Sequence, residues 1–213
     1  YIDEKNQLDA AFSSTYIAPD LREFTSGEYF HPYDVATVVG NPDLVNTDIY
    51  SFDLKYSHFF SDTESIKVGT FFKYLDKPIE DVMLLSSSLP IYSFDNAESA
   101  TLYGLELDGR KELSFLSKYL MNYFLSGNFS YTESETTLRD EQLSTFSTNY
   151  RQLQGLSPFV VNLTFSYEKD DRNVALSYNK MDERIRKVGL IDGSYRYPDF
   201  YEVPPHLLDL VWI

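Results

Sequence analysis

The residues best suited to chemistry in this sequence lie in polar, irregular stretches rather than in patterned segments. The first such stretch holds five candidates within seven positions, namely Glu28, Tyr29, His31, Tyr33 and Asp34. Imidazole and carboxylate groups suit several divalent metal ions. A solvated polar loop explains the same residues, so we predict no metal site and expect Tyr29, His31 and Tyr33 as contacts for a small-molecule ligand.

A second group of candidates consists of basic residues that stand out in an acidic chain. They are Arg151, Arg184, Arg186, Lys187 and Arg196. A guanidinium group pairs well with carboxylate and similar oxygens, so these side chains could hold an anionic ligand. They could equally pair with the neighbouring Asp182, Glu183 and Asp192. We predict Arg151, Arg184, Arg186 and Arg196 as ligand-binding residues.

No set of residues resembles a catalytic site. The three histidines are His31, His58 and His206, and none of them lies in a hydrolase-like context. Ser57 and His58 are adjacent, so in a strand their side chains point to opposite faces. The chain has no cysteine and therefore no thiolate site. We predict a protein that is not an enzyme and has no cofactor.

Composition narrows the function classes further. The formal net charge is -15, with 33 acidic against 18 basic residues, so a nucleic-acid partner would be repelled. No run of about 18 apolar residues is present, which excludes a transmembrane helix. The 18 tyrosines and 16 phenylalanines suit a membrane interface, a sugar-binding surface or a β core.

The candidate residues are separated by segments whose apolar residues recur at every second position. In the first clear case, Tyr50, Phe52 and Leu54 alternate with Ser51 and Asp53. Strict alternation predicts a β-strand with one apolar and one polar face. About eight segments share this pattern: Asn6–Thr15, Thr47–Phe60, Ser65–Tyr74, Tyr103–Asp108, Asn122–Tyr131, Phe159–Tyr167, Asn173–Asn179 and Leu207–Ile213.

The connections between these segments alternate between short and long. The short ones are Ser61–Glu64, Glu112–Leu120 and Lys169–Asp171, and the long ones are Tyr16–Asn46, Lys77–Asn96, Glu133–Leu156 and Asp182–Pro205. In an up-and-down meander, alternate connections lie at opposite ends of the sheet. All long loops would then emerge on one side, as in outer-membrane barrels, whereas a soluble sandwich has no reason for this rhythm.

The charged residues of the predicted strands fit the inside of a wide barrel. They fall on the polar face and are Asp53, Lys55, Lys67, Lys73, Glu106, Asp108 and Asp209. Long polar side chains suit a wet lumen, with the apolar residues facing lipid. We therefore predict an all-β, antiparallel, up-and-down transmembrane β-barrel segment of about eight strands that is part of a larger barrel, because two open edges are not viable in hydrocarbon.

Five stretches in order resemble the barrel of TonB-dependent outer-membrane receptors. They are Asn41–Leu44 with its following strand, Phe71–Glu80, Asn96–Leu107 with an A-x-x-YG-x-E pattern, Leu153–Asn162 with a QG-x-SP pattern, and Pro198–Leu210. The resemblance covers nearly the whole chain. The pattern is also explained by packing alone, without contact to a ligand, since Gly104 lets a bulky ring lie against the neighbouring strand.

The resemblance implies a receptor in the outer membrane of a Gram-negative cell. Such receptors have roughly 22 strands around a plug, so residues 1–213 are expected to be a partial barrel without the plug and final strands. The implied function is capture of a scarce ligand, such as a ferric siderophore or similar metal chelate, and its import through the TonB complex acting on the plug. Outer-membrane lipid and lipopolysaccharide are further expected partners, the latter through arginine–phosphate contacts. A passive porin-like barrel and a soluble, aromatic-rich, glycan-binding β-sandwich are the alternatives.

Overall fold

The computed structural model describes residues 2–32, 34–84 and 91–212, and eight strands dominate it. These strands are β1 (Asn6–Ile17), β2 (Thr47–Ser61), β3 (Glu64–Asp76), β4 (Ser99–Glu112), β5 (Tyr123–Thr137), β6 (Phe159–Lys169), β7 (Arg172–Met181) and β8 (Leu207–Trp212). Each strand was predicted from alternation, and most extend a few residues beyond the patterned segment because the ladder hydrogen bonds continue into the loops.

The eight strands form one sheet in chain order, and every neighbouring pair is antiparallel. The predicted up-and-down meander is therefore confirmed. The sheet is not closed, with β1 and β8 at its edges. Over the described residues, this single open meander differs from the two face-to-face sheets of a β-sandwich, which was one of the alternatives to a barrel.

The two faces of the sheet follow the period-two pattern. On β3, Ile66, Val68 and Phe72 are exposed on one face, while Lys67 and Lys73 lie on the other. We call the apolar side the lipid face and the polar side the lumen face. Continuous bare apolar surface of this kind is typical of a wall that lipid covers. No helix among the described residues is long and apolar enough to cross a membrane.

The connections separate to the two ends of the sheet as predicted. At the turn end, residues 62–63 and 170–171 make tight turns, and residues 113–122 contain the 3₁₀ turns Leu113–Phe115 and Lys118–Leu120. At the other end lie loop 1 (residues 18–46), loop 2 (residues 77–98), loop 3 (residues 138–158) and loop 4 (residues 182–206). We call these four loops together the loop cap.

The loop cap has regular structure of its own, which alternation did not predict. Loops 1 and 2 build a four-stranded sheet in the order Glu28–His31, Ala36–Val39, Ile91–Asn96 and Ile79–Leu84, whose central pairing is parallel. Loop 4 forms two small hairpins, Arg184–Lys187 with Phe200–Glu202 and Ile191–Asp192 with Tyr195–Arg196. Loop 1 also holds the short helix α1 (Leu21–Phe24), and loop 3 the 3₁₀ turn Gln142–Ser144.

The hydrophobic core lies in the loop cap rather than in the sheet. Among the described residues, every buried hydrophobic side chain except Ala100 and Leu102 belongs to a loop. One cluster joins three loops and consists of Val82, Leu138, Phe146, Ile185 and Val188. Because side chains from separate loops bury one another, the cap is a packed unit standing on the barrel wall.

Candidate functional site in the loop cap

A buried ion pair in the cap joins loop 3 to loop 2. The guanidinium of Arg151 donates from Nη1 and Nη2 to the two carboxylate oxygens of Glu80, each at 2.6 Å. Both side chains are buried, at 1% and 3% exposed. A bidentate pair of this kind places the two opposite charges in direct contact inside a low-dielectric core, while the Arg151 Nε is buried without a hydrogen-bond partner among the described residues. The Arg151 guanidinium, which we predicted to bind a ligand, therefore holds two loops together.

A second joint between loops 2 and 3 is built on Asp95. Arg139 donates to its carboxylate at 2.5 and 2.6 Å, and the amide of Gln142 donates to it at 2.7 Å. The neighbouring Asn96 reaches loop 1, because its side chain exchanges hydrogen bonds with both backbone groups of Val45. Sequence reasoning missed these residues, since nothing in local spacing identifies their partners.

Candidates from loops 1 and 4 meet at Asp34. Arg186 donates to its carboxylate at 2.7 Å, and Nδ1 of His31 lies 3.2 Å from the same group. The neighbouring Lys187 pairs with Asp81 at 2.9 Å and lies 4.3 Å above the ring of Tyr92. Burial raises the pKa of Tyr92, and the charge of Asp34 adds to this, against an opposing effect of Arg186. Loops 1, 2 and 4 thus share one charged contact region.

The remaining predicted arginines are also engaged within the chain. Arg184 pairs with Glu202 at 2.8 Å across its hairpin, and Arg196 donates to the carbonyl of Ser147 at 3.3 Å. Internal pairing was one of the three roles considered for these arginines, but the acidic partners in the structure are Glu202 and Asp34 instead of Asp182, Glu183 and Asp192. The observed acidic partners are distant in sequence or across a hairpin, where only the fold can place them.

Arg184 and Arg186 line one polar cavity of about 320 Å³ in the loop cap. Its other charged residues are Glu23, Glu80, Asp81 and Glu202. Five of these six charges are in ion pairs. Arg184 and Glu202 pair with each other, whereas Glu80, Asp81 and Arg186 pair with residues outside the lining. The side chain of Arg186 is 52% exposed. A ligand entering this cavity would therefore meet oriented charges of both signs.

The first-loop candidates do not form a compact cluster of ligands. Tyr29 and His31 are half-buried in the strand Glu28–His31, and Tyr33 lies outside the described residues. Within residues 2–32, 34–84 and 91–212, no three His, Asp or Glu side chains are arranged to hold a metal ion.

Gly104 has a packing role in the wall that holds the cap. A Cβ there would lie 2.3 Å from the carbonyl oxygen of Tyr131 and 2.7 Å from Cζ of Phe71. The Phe71 ring from β3 lies over the bare backbone on the lumen face. The predicted packing of a bulky ring on the neighbouring strand is confirmed, with Phe71 as the ring.

Comparison with known proteins agrees with this architecture. A family model described as "TonB dependent receptor-like, beta-barrel" matches residues 2–210. Similar solved structures include a variant of the ferric enterobactin receptor PfeA of Pseudomonas aeruginosa, at a TM-score of 0.55 and 14% identity over 94% of this chain. The siderophore receptor PirA of Acinetobacter baumannii is similar with a TM-score of 0.56 and 13% sequence identity over 94% of this chain. The copper transporter OprC is similar with a TM-score of 0.65 and 13% sequence identity over 97% of this chain.

The chain spans only about a third of each of these structures, covering 30% of PfeA, 32% of PirA and 29% of OprC. At these identities the likeness concerns the fold. No curated protein matches the sequence.

Proposed function

The chain belongs to the β-barrel family of TonB-dependent receptors, and from this we propose that it is part of an outer-membrane receptor that captures a scarce extracellular ligand and imports it with TonB-derived energy. The observation that carries the proposal is the one-sided placement of the four long loops. They form a packed, charged cap at one end of a wall whose apolar face suits lipid. In outer-membrane barrels the long loops are the extracellular ones.

We propose a metal chelate, such as a ferric siderophore, as the ligand class. The proposal is supported by neighbours in fold that are named siderophore receptors and a copper transporter. Within the cap, Arg184 and Arg186 are the residues best placed for an anionic chelate, because they line a cavity and stay partly exposed. Tyr29, His31 and Arg196 are secondary candidates, and Arg151 would support the site from beneath.

The partners follow from the same proposal. Energy would come from the TonB complex acting on the plug of the complete receptor. Outer-membrane phospholipid would cover the apolar face of the strands, and lipopolysaccharide would surround the base of the cap. The acidic balance of the chain, at -15, argues against a nucleic-acid partner.

Uptake by the complete receptor in cells tests the proposal directly. Cells that express it as their only receptor for a labelled ferric siderophore should accumulate iron when TonB is present and fail to do so when TonB is deleted. Accumulation that is equal with and without TonB would instead identify a passive porin-like barrel. A panel of catecholate, hydroxamate and carboxylate chelates, with free copper as a further substrate, would define the ligand class.

A further inference from the structure

The lipid face has a notch where two glycines stand opposite each other. Gly109 of β4 pairs with Gly127 of β5, and both lie on the face that carries Leu107 and Leu125. On its other side Gly109 pairs with Ile66 of β3, and Gly127 pairs with Leu163 of β6. The Leu163 side chain lies over Gly127, with its Cδ2 2.8 Å from where a Cβ of residue 127 would stand. At Gly109 no neighbouring side chain fills the space, so the apolar band is interrupted there.

The notch is part of a cavity of about 650 Å³ with an apolar lining. Besides the flanking residues, its lipid-face lining includes Leu107, Leu125 and Phe129. Leu113 and Phe115 from the turn-end connection close it on one side. A cavity with so few polar partners would not retain ordered water. Lipid acyl chains are the apolar molecules that cover this face of a barrel.

The connection beside the notch differs from the other two turns. Residues 113–122 contain six large apolar or aromatic residues, one lysine and no acid, whereas the tight turns contain Asp62, Asp170 and Asp171. Phe115 is 66% exposed and Tyr119 81% exposed. Exposed apolar surface beside a lysine, in a chain with a net charge of -15, is the composition of a segment that lies in a membrane interface.

Two lysines lie at the turn end of the sheet near the notch, Lys111 in the cavity lining and Lys118 in the connection 113–122 outside that lining. Lys111 lines the cavity, lies 4.3 Å above the ring of Phe60 and is held by Glu64 at 3.0 Å. Lys118 stacks on Tyr119 at 5.5 Å and has no carboxylate partner in the part of the chain that the structure describes. Lys118 is therefore the uncompensated cation of this region.

We propose that the notch is a specific binding site for one phospholipid of the periplasmic leaflet. An acyl chain lies over Gly109 against Ile66 and Leu107, and the connection 113–122 covers the region where chain meets headgroup. The phosphate is attracted to Lys118, with Lys111 beside it. The site is on the face opposite to the lumen and is independent of the ligand that the receptor imports.

The test uses the complete receptor, purified in mild detergent, with phosphatidylglycerol as the probe and native mass spectrometry as the readout. Gly109→Leu fills the notch, and its added Cβ meets only the Ser65 carbonyl oxygen at an ordinary 3.5 Å. We expect roughly tenfold less retained lipid, because the contacts of a few methylene groups are lost. Lys118→Gln should lower retention about fivefold. Val174→Leu adds bulk to the lipid face of β7 and should change nothing.

Folding of each variant is checked by its heat-modifiable migration on gels. Should Gly109→Leu fail to fold, a phosphatidylglycerol with a photoactivatable tail provides the second measurement, with cross-links expected in residues 107–129 of the unmodified receptor. Equal retention by the unmodified protein, Gly109→Leu and Lys118→Gln would overturn the proposal. So would cross-links spread evenly around the barrel, which would indicate bulk lipid contact only.

Discussion

The carboxylate of Glu80 and the guanidinium of Arg151 are 71 positions apart and form a buried, two-hydrogen-bond ion pair between loops 2 and 3. Around them, apolar side chains from loops 2, 3 and 4 make the cluster of Val82, Leu138, Phe146, Ile185 and Val188. The loop cap is thus a packed assembly in which charge pairing and apolar burial act together.

Removal of one partner of this pair should loosen the cap. Glu80→Ala leaves a buried, unpaired guanidinium, which costs about 3–5 kcal/mol. Hydrogen exchange of the Ile79–Leu84 and Ala36–Val39 amides in the complete receptor would measure the loss. Arg184→Ala, which breaks the partly exposed pair with Glu202, should cost less than about 1 kcal/mol. The double variant Glu80→Leu, Arg151→Met should recover much of the protection, and equal effects of the two single variants would contradict this account.

Gly104 should not tolerate a side chain. In Gly104→Ala the new Cβ would meet the Tyr131 carbonyl oxygen at 2.3 Å, so β4 and β5 must shift or the Phe71 ring must move. We expect a loss of about 1–3 kcal/mol in the free energy of unfolding, measured by urea denaturation in lipid vesicles. Gly69→Ala is the matched control, since its nearest contact would be 3.7 Å. A stable Gly104→Ala barrel would show that the wall adapts.

Single cysteines along β2 should report lipid and water in strict alternation. Labels at Tyr50, Phe52 and Leu54 are expected to contact lipid, and labels at Ser51, Asp53 and Lys55 to contact water. The chain has no cysteine of its own that would interfere. Accessibility to lipid-soluble and water-soluble quenchers, in the complete receptor in membranes, makes the measurement. A dry protein environment at the even positions would refute the transmembrane wall.

Arg186 should matter more to ligand affinity than Arg151. Arg186→Ala removes a half-exposed donor at the cavity and should weaken chelate binding roughly tenfold, as expected for a lost hydrogen bond to a charged group. Equilibrium binding of a labelled ferric siderophore to the complete receptor tests this. Lys169→Ala at the turn end controls for net charge. The loop-arginine proposal fails if Arg151→Ala, Arg184→Ala and Arg186→Ala all bind as the unmodified receptor does.

The Arg184–Glu202 hairpin should weaken in acid. The hydrogen bond and charge of Arg184 hold the pKa of Glu202 below its ordinary value of 4.5. The folded state is therefore stabilised above that value, and the contribution is lost as pH falls through the lower folded pKa. Hydrogen exchange of the hairpin amides, corrected for intrinsic rates between about pH 6 and pH 3, should show the loss. In Glu202→Gln the same amides should show no such step.

Local residue patterns were enough to predict the wall of this barrel. Alternation at every second residue is a local property, so Tyr50, Phe52 and Leu54 could be assigned to one face without knowledge of any partner strand. The rhythm of short and long connections likewise placed all four loops at one end. Once the strands are antiparallel neighbours, these two patterns fix which residues lie on each face of the sheet and at which end the long loops lie.

The contacts of the loops, in contrast, depend on how distant parts of the chain pack together. Arg151 was predicted to meet a ligand, but its partner Glu80 lies 71 positions away and is identified by no local spacing. Arg186 and Asp34 are likewise 152 positions apart, and no local spacing identifies them as partners. The notch of Gly109 and Gly127 depends on a cross-strand register that one sequence does not reveal. Contacts between distant segments are set by the packing of the whole chain, which explains why the sequence predicted the wall and left the cap to the structure.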